Sequence, residues 1–133
     1  MTEPLFTEAD VIYAVNLRDV VEDGWLDGNA GTLAPISRKF FKHPVWASPG
    51  VYTVMEKAVQ EDSKFYTFES LWAYFLFRTV RFAEDVNEST RKFTFQRRTD
   101  GMHHRPVEIM VCVQAWAVDD PKPVVTLYLP EED

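Results

Sequence analysis

The stretch Thr67-Phe68-Glu69-Ser70-Leu71-Trp72-Ala73-Tyr74-Phe75-Leu76-Phe77-Arg78-Thr79-Val80-Arg81-Phe82-Ala83-Glu84-Asp85-Val86-Asn87 decides the fold of this chain. Phe68, Leu71, Trp72, Phe75, Leu76, Thr79, Val80 and Ala83 recur at helical spacing. Tyr74, Phe77 and Phe82 widen the apolar face beyond one stripe. The pattern predicts a central helix touched on more than one side, with the rest of the chain supplying its cover. Thr67 is its cap, and Glu69 lies in its first turn, where free backbone N–H groups favour a carboxylate.

Upstream, Ser48-Pro49 marks another helix start, serine as cap and proline in the first turn. Val51, Val54, Met55, Ala58 and Val59 follow at helical spacing, and residues 60–64 end the helix. Pro35 opens a short helix to about Phe41, anchored by Phe40 and Phe41. His43-Pro44-Val45-Trp46 then extends, because a residue before proline avoids helical angles. Residues 25–34 read as an irregular connection, punctuated by Gly28 and Gly31. The first helix starts at Thr7-Glu8-Ala9-Asp10, lines one face with Ala9, Ile12, Tyr13, Asn16, Leu17, Val20 and Val21, and stops at Gly24.

Downstream, the period changes from Arg91 onward. Arg91-Lys92-Phe93-Thr94-Phe95 alternates, with Phe93 and Phe95 on one side. Thr99-Asp100-Gly101 is a turn, and Val107 to Val118 is a long strand. Its second face is only partly polar, which implies partial cover there as well. Asp119-Asp120-Pro121 turns the chain into a last strand, Val124 to Leu129. Helices followed by strands predict one α+β domain over residues 1–133. Its helical half covers about residues 7–88 and its strand half about 91–129, the latter a three-stranded antiparallel sheet packed against Phe68 to Val86.

A chain of 133 residues, 46% hydrophobic and 14% aromatic, can bury a core without metal or disulfide staples. The net charge of −7, from 21 acidic and 14 basic residues, disfavours non-specific binding to phosphate backbones. It is compatible with a basic protein surface as partner. Cys112 stands alone, so no internal disulfide forms and a reducing, intracellular location fits. The first residues lack a basic region followed by an apolar run, and the longest apolar run is too short for a bilayer. The expectation is a cytoplasmic protein with no membrane partner.

Candidate chemistry is sparse. His103-His104 is an adjacent pair on an expected loop, and a zinc site needs about four converging ligands. Cys112 has no histidine at a useful spacing, so it reads as an inert thiol. Gly24, Gly28 and Gly31 form no phosphate loop, since neither a strand before them nor a Gly-Lys-Ser/Thr after them is present. No catalytic, cofactor or metal site is expected. Asp19, Glu22, Asp23 and Asp27 gather near Trp25, and the first three share one helical surface. They read either as a solvated helix end or as a partner-binding patch with Trp25 as anchor. Arg78, Arg81, Arg91, Arg97 and Arg98, with aromatics nearby, are the candidates for a nucleic-acid contact, although Glu84, Asp85 and Glu88 lie among them to pair with them.

Two segments carry a resemblance. Tyr13, Glu22, Asp23, Gly24 and Leu26, with Trp25 in an apolar position, match a pattern of a tyrosine, a short helix, then Glu-Asp-Gly, an apolar residue and Leu. The ending Asp119-Asp120-Pro121-Lys122-Pro123-Val124-Val125-Thr126-Leu127-Tyr128-Leu129-Pro130-Glu131-Glu132-Asp133 parallels an Asp-Asp turn, a short apolar strand and a terminal Leu-Pro-Glu-Glu-Asp. Lys39-Phe40-Phe41-Lys42-His43-Pro44-Val45 is similar to the same pattern's middle. The chain thus resembles the small phage and plasmid proteins of the family called domain of unknown function 6573. The resemblance implies a gene on a mobile element in a bacterial host, near replication, restriction or defence-evasion genes. It brings no catalytic residues with it.

The leading expectation is therefore a non-enzymatic accessory protein that binds a host or phage protein, with a nucleic-acid-handling defence complex as a target. The alternatives are a small-ligand enzyme with a helix–sheet cleft, using Tyr13, Glu22, Asp23, His103 and His104, and an RNA or DNA accessory factor using the five arginines.

Overall fold

The computed structural model describes residues 17–21, 24–97 and 105–132. Four helices are seen there: α1 (Leu17–Val20), α2 (Leu33–Phe40), α3 (Pro49–Glu61) and α4 (Phe68–Arg81). The strands are β1 (Leu26–Asp27), β2 (Val45–Ala47), β3 (Glu84–Asp85), β4 (Thr90–Phe95), β5 (Val107–Ala117) and β6 (Asp120–Tyr128), followed by a single 3₁₀ turn at Pro130–Glu132. They form one six-stranded sheet in the order β1-β2-β6-β5-β4-β3. All neighbours are antiparallel except β2 and β6, which are parallel.

The α+β class holds, but the expected three-stranded antiparallel sheet is a six-stranded mixed one. The expected order of helices and then strands is also corrected, since β1, β2 and β3 lie within the segment read as helical. These strands are two or three residues long, too short to display an alternation. Their geometry comes from distant partners. The Val125 amide donates to the Pro44 carbonyl at 2.8 Å, and the Ser48 amide to the Leu127 carbonyl at 2.8 Å, which seats β2 beside β6.

The α4 helix begins at a reciprocal cap. The Ser70 amide donates to Thr67 Oγ1 at 3.0 Å, and the Thr67 amide donates to Ser70 Oγ at 2.9 Å. It stops at Arg81 rather than near Val86, because Glu84 and Asp85 leave the helix to pair with Lys92 and Arg91 of β4. The α3 helix begins where Ser48 Oγ accepts from the Val51 amide. The Glu132 carboxylate adds to that cap from the far end of the chain, accepting from Ser48 Oγ at 2.5 Å and from the Gly50 amide at 3.0 Å. A carboxylate at a helix N-terminus meets both free N–H groups and the positive end of the dipole.

Leu71, Trp72, Phe75, Leu76 and Thr79 of α4 are all buried. Phe75 packs against Phe95 and Phe93 at ring distances of 5.0 and 5.6 Å, confirming that those two phenylalanines share the core side of β4. Trp72 Nε1 donates to Ser37 Oγ at 2.8 Å, and Ser37 Oγ donates to the Gly28 carbonyl. This chain ties α4 to α2 and to the turn after β1. Gly28 is needed there because a Cβ would stand 2.2 Å from the Trp72 ring and 2.6 Å from the Val45 carbonyl. The second sheet face is covered too. Val124 and Thr126 are buried, Trp46 stacks on Trp116 at 6.0 Å, and α1 lies against β5. A register irregularity between Ala115 and Ala117 shifts the pairing of β5 with β6 by one residue.

Candidate functional site

The outward side of α4 is unlike the rest of the surface. At 3.6 residues per turn, a core side made of positions 71, 72, 75, 76 and 79 turns Tyr74, Phe77 and Arg81 outward, with Arg78 on the flank. Tyr74 is 40% exposed, Phe77 41% and Phe82 60%. Val80 and Val86 are exposed beside them, so five of the six large exposed hydrophobics among the described residues fall between positions 74 and 86. The sixth, Val118, is in the turn between β5 and β6. Single exposed apolar residues are ordinary, whereas a contiguous group marks an interaction surface.

The rings are organised around one arginine. Tyr74 and Arg78 follow at i and i+4 on one flank of the helix, and Phe82 comes just past its end at Arg81. The Arg78 guanidinium carbon lies 6.0 Å from the Tyr74 ring centre and 5.7 Å from that of Phe82. Phe77 packs edge-on against Phe82 at 5.5 Å, and Tyr74 leans on Phe95 at 6.3 Å. Arg78 Nε is buried with no hydrogen-bond partner among the described residues. Among the described residues neither Arg78 nor Arg81 forms an ion pair, in contrast to Arg91 and Arg97.

Arg91 pairs with Asp85 at 2.9 Å and donates to the Thr79 carbonyl at 3.2 Å, closing the C-terminal end of α4. Arg97 is held between Asp62, at 2.5 Å, and Glu61, fastening the end of α3 to the segment after β4. Burial acts to lower the Arg97 pKa, but the hydrogen bonds and charges of Glu61 and Asp62 outweigh it, and the net direction is upward. Six residues of extended chain, about 20 Å, separate Arg91 from Arg97. The structure thus brings Arg78 and Arg81 together and commits Arg91 and Arg97 elsewhere. Arg98 lies outside the described residues.

The acidic candidates are dispersed in what is seen of them. Asp19 is exposed on α1, 3.9 Å from Arg18, which also reaches Asp119 at 2.9 Å. Asp27 on β1 accepts from the Asn29 amide at 2.7 Å, an aspartate turn. Trp25 is half-buried, and Gly24 before it has a φ of +82°, which glycine adopts freely. Glu22 and Asp23 lie outside the described residues, as do Tyr13, His103 and His104 of the enzyme reading. No group of three or more His, Cys, Asp or Glu among the described residues is placed to hold a metal. No helix among them is long and apolar enough to cross a membrane.

A groove of about 530 Å³ opens next to α4. Its lining includes Phe40, Phe41, Val80, Asp85, Arg91, Val111, Val113 and Val125. Sequence reasoning missed both the groove and the exposed α4 face. Tyr74, Phe77 and Phe82 widen the apolar face and predict a helix touched on more than one side; their exposure corrects that, because helical period does not say which side is covered. No family model matches the chain, and comparison with curated proteins and with solved structures returns no significant match.

Proposed function

We propose that this protein is a non-enzymatic binding protein that acts on another protein, and that the outward face of α4 is its contact surface. The observation that carries the reading is the arginine-centred aromatic cluster of Tyr74, Phe77, Arg78 and Phe82, open to solvent on a helix whose other side anchors the core. Tyrosine and arginine are enriched among the residues that dominate binding energy, and rigid aromatic anchors cost little entropy to order. The resemblance to phage and plasmid proteins adds a context, an accessory protein directed at a host protein, with a nucleic-acid-handling defence complex as a fitting target.

The test compares the wild-type chain with a Phe77→Ser, Phe82→Ser double variant in co-purification from bacterial lysate. The expected result is one stoichiometric partner with the wild type and none with the variant, at unchanged thermal stability. Equal recovery with both would move the contact away from α4. Charge reversal at Asp19 and Glu22 in the same assay then asks whether the acidic end of the first helix is the contact instead. The valine-lined groove supports a second reading, a small-ligand site, since its volume lies in the range of ligand pockets. Saturable binding of a small molecule blocked by Val113→Trp would favour that reading.

A further inference from the structure

We infer that the segment this face takes is acidic, and that a carboxylate of the partner, flanked by apolar side chains, pairs with the guanidinium of Arg78. The inference rests on the protein-binding reading and names the chemistry of its partner. A guanidinium near two rings is ordered before binding, and its N–H donors form a fork that matches a carboxylate. Tyr74 and Phe82 supply those rings at 6.0 and 5.7 Å. Arg78 Nε is buried with no hydrogen-bond partner among the described residues, so a partner's carboxylate meets the guanidinium at its outer Nη donors. Arg81, one turn along, is exposed and forms no ion pair among the described residues. Two arginines with no ion pair among the described residues, amid exposed apolar side chains, make this face locally complementary to an acidic, apolar segment.

A phosphate backbone would also pair with arginine, but it presents charge along a strand and needs a track of cations. Here Arg91 and Arg97 are held by carboxylates of the chain, so no track of free cations continues beyond Arg78 and Arg81 among the described residues.

The probes are a fluorescent peptide alternating Asp or Glu with Leu or Phe, blocked at both ends, the same peptide with Asn and Gln replacing the acids, and a short oligothymidylate. Each is titrated into the full chain by fluorescence anisotropy. The acidic peptide is expected to bind about tenfold or more tighter than its amide counterpart. Arg78→Lys keeps the charge but removes the fork and should weaken the acidic peptide by about tenfold, with the melting temperature unchanged. Equal affinity for both peptides, an Arg78→Lys variant that binds like wild type, binding of neither peptide, or binding of the oligothymidylate alone would each overturn the inference. The two readings fail separately. If Phe77→Ser with Phe82→Ser abolishes capture of a partner while Arg78→Lys leaves it intact, the acidic partner is wrong and the α4 contact stands. If neither variant changes capture, the α4 contact itself is wrong.

Discussion

The two sides of α4 are built from the same kinds of residue and have opposite fates. On one side Trp72, Phe75 and Thr79 are buried and each is satisfied. Phe75 meets the rings of Phe93 and Phe95, the Trp72 N–H has Ser37, and Thr79 Oγ1 donates to the Phe75 carbonyl. On the other side Phe77 and Phe82 keep 41% and 60% of their surface in water, and a guanidinium lies between rings with a buried donor unused. A helix needs one apolar side to fold against a sheet; a second apolar side adds nothing to that packing. Its retention on the outside is what points to a partner.

The comparison breaks first on stability. Phe75→Ala removes a ring packed on β4 and should cost about 3–5 kcal/mol in urea unfolding. Phe77→Ala, two residues on and the same in type and size but facing water, should cost less than about 1 kcal/mol. Similar losses at the two positions would place Phe77 in the core and remove the exposed face.

The two partly buried arginines sharpen the same contrast. Arg97 lies between Asp62 and Glu61, and the Asp62 side chain is only 7% exposed. Arg97→Met takes the cation from a buried carboxylate and should destabilise by about 3 kcal/mol. Arg78→Met forfeits only its ring contacts and relieves an unsatisfied donor, so the net loss should stay within about 1 kcal/mol. Guanidinium denaturation of the two variants compares them directly, and an Arg78 cost equal to that of Arg97 would make Arg78 a structural tie.

Much of this architecture is visible in the residues themselves. Ser48 and Thr67 cap the helices that follow them, and Phe93 and Phe95 alternate into the core as a half-buried strand does. What stays hidden depends on distance in the chain. Val45–Ala47 becomes a strand only because Val125, Thr126 and Leu127 lie beside it, and Glu84–Asp85 only because β4 returns past the end of α4. The candidate face is hidden for a related reason. Arg78 and Arg81 are legible as charges at helical spacing, with Glu84, Asp85 and Glu88 expected to pair with the arginines, but the periodicity that groups Tyr74, Phe77 and Phe82 is silent about whether anything packs over them. The acidic candidates near Trp25 depend on an arrangement that includes Glu22 and Asp23, which lie outside the described residues.

The smallest expected effect is at the start of the same outward side, where Glu69 is tied to α2 rather than left for a partner. Thr32 Oγ1 donates to Glu69 Oε2 at 2.6 Å. That hydrogen bond, followed by one from the backbone N–H of Glu69 itself, lowers the glutamate pKa below its ordinary 4.5. A carboxylate whose folded pKa is depressed adds stability that is fully present above the ordinary value and fades as pH falls through the lowered one. Thr32→Val removes the larger cause, so the folded pKa should climb back toward 4.5 while neutral-pH stability barely changes. Carboxyl carbon NMR of Glu69 through an acid titration reads the shift without depending on unfolding. An unmoved pKa in Thr32→Val would assign the lowering to the free N–H groups at the helix start.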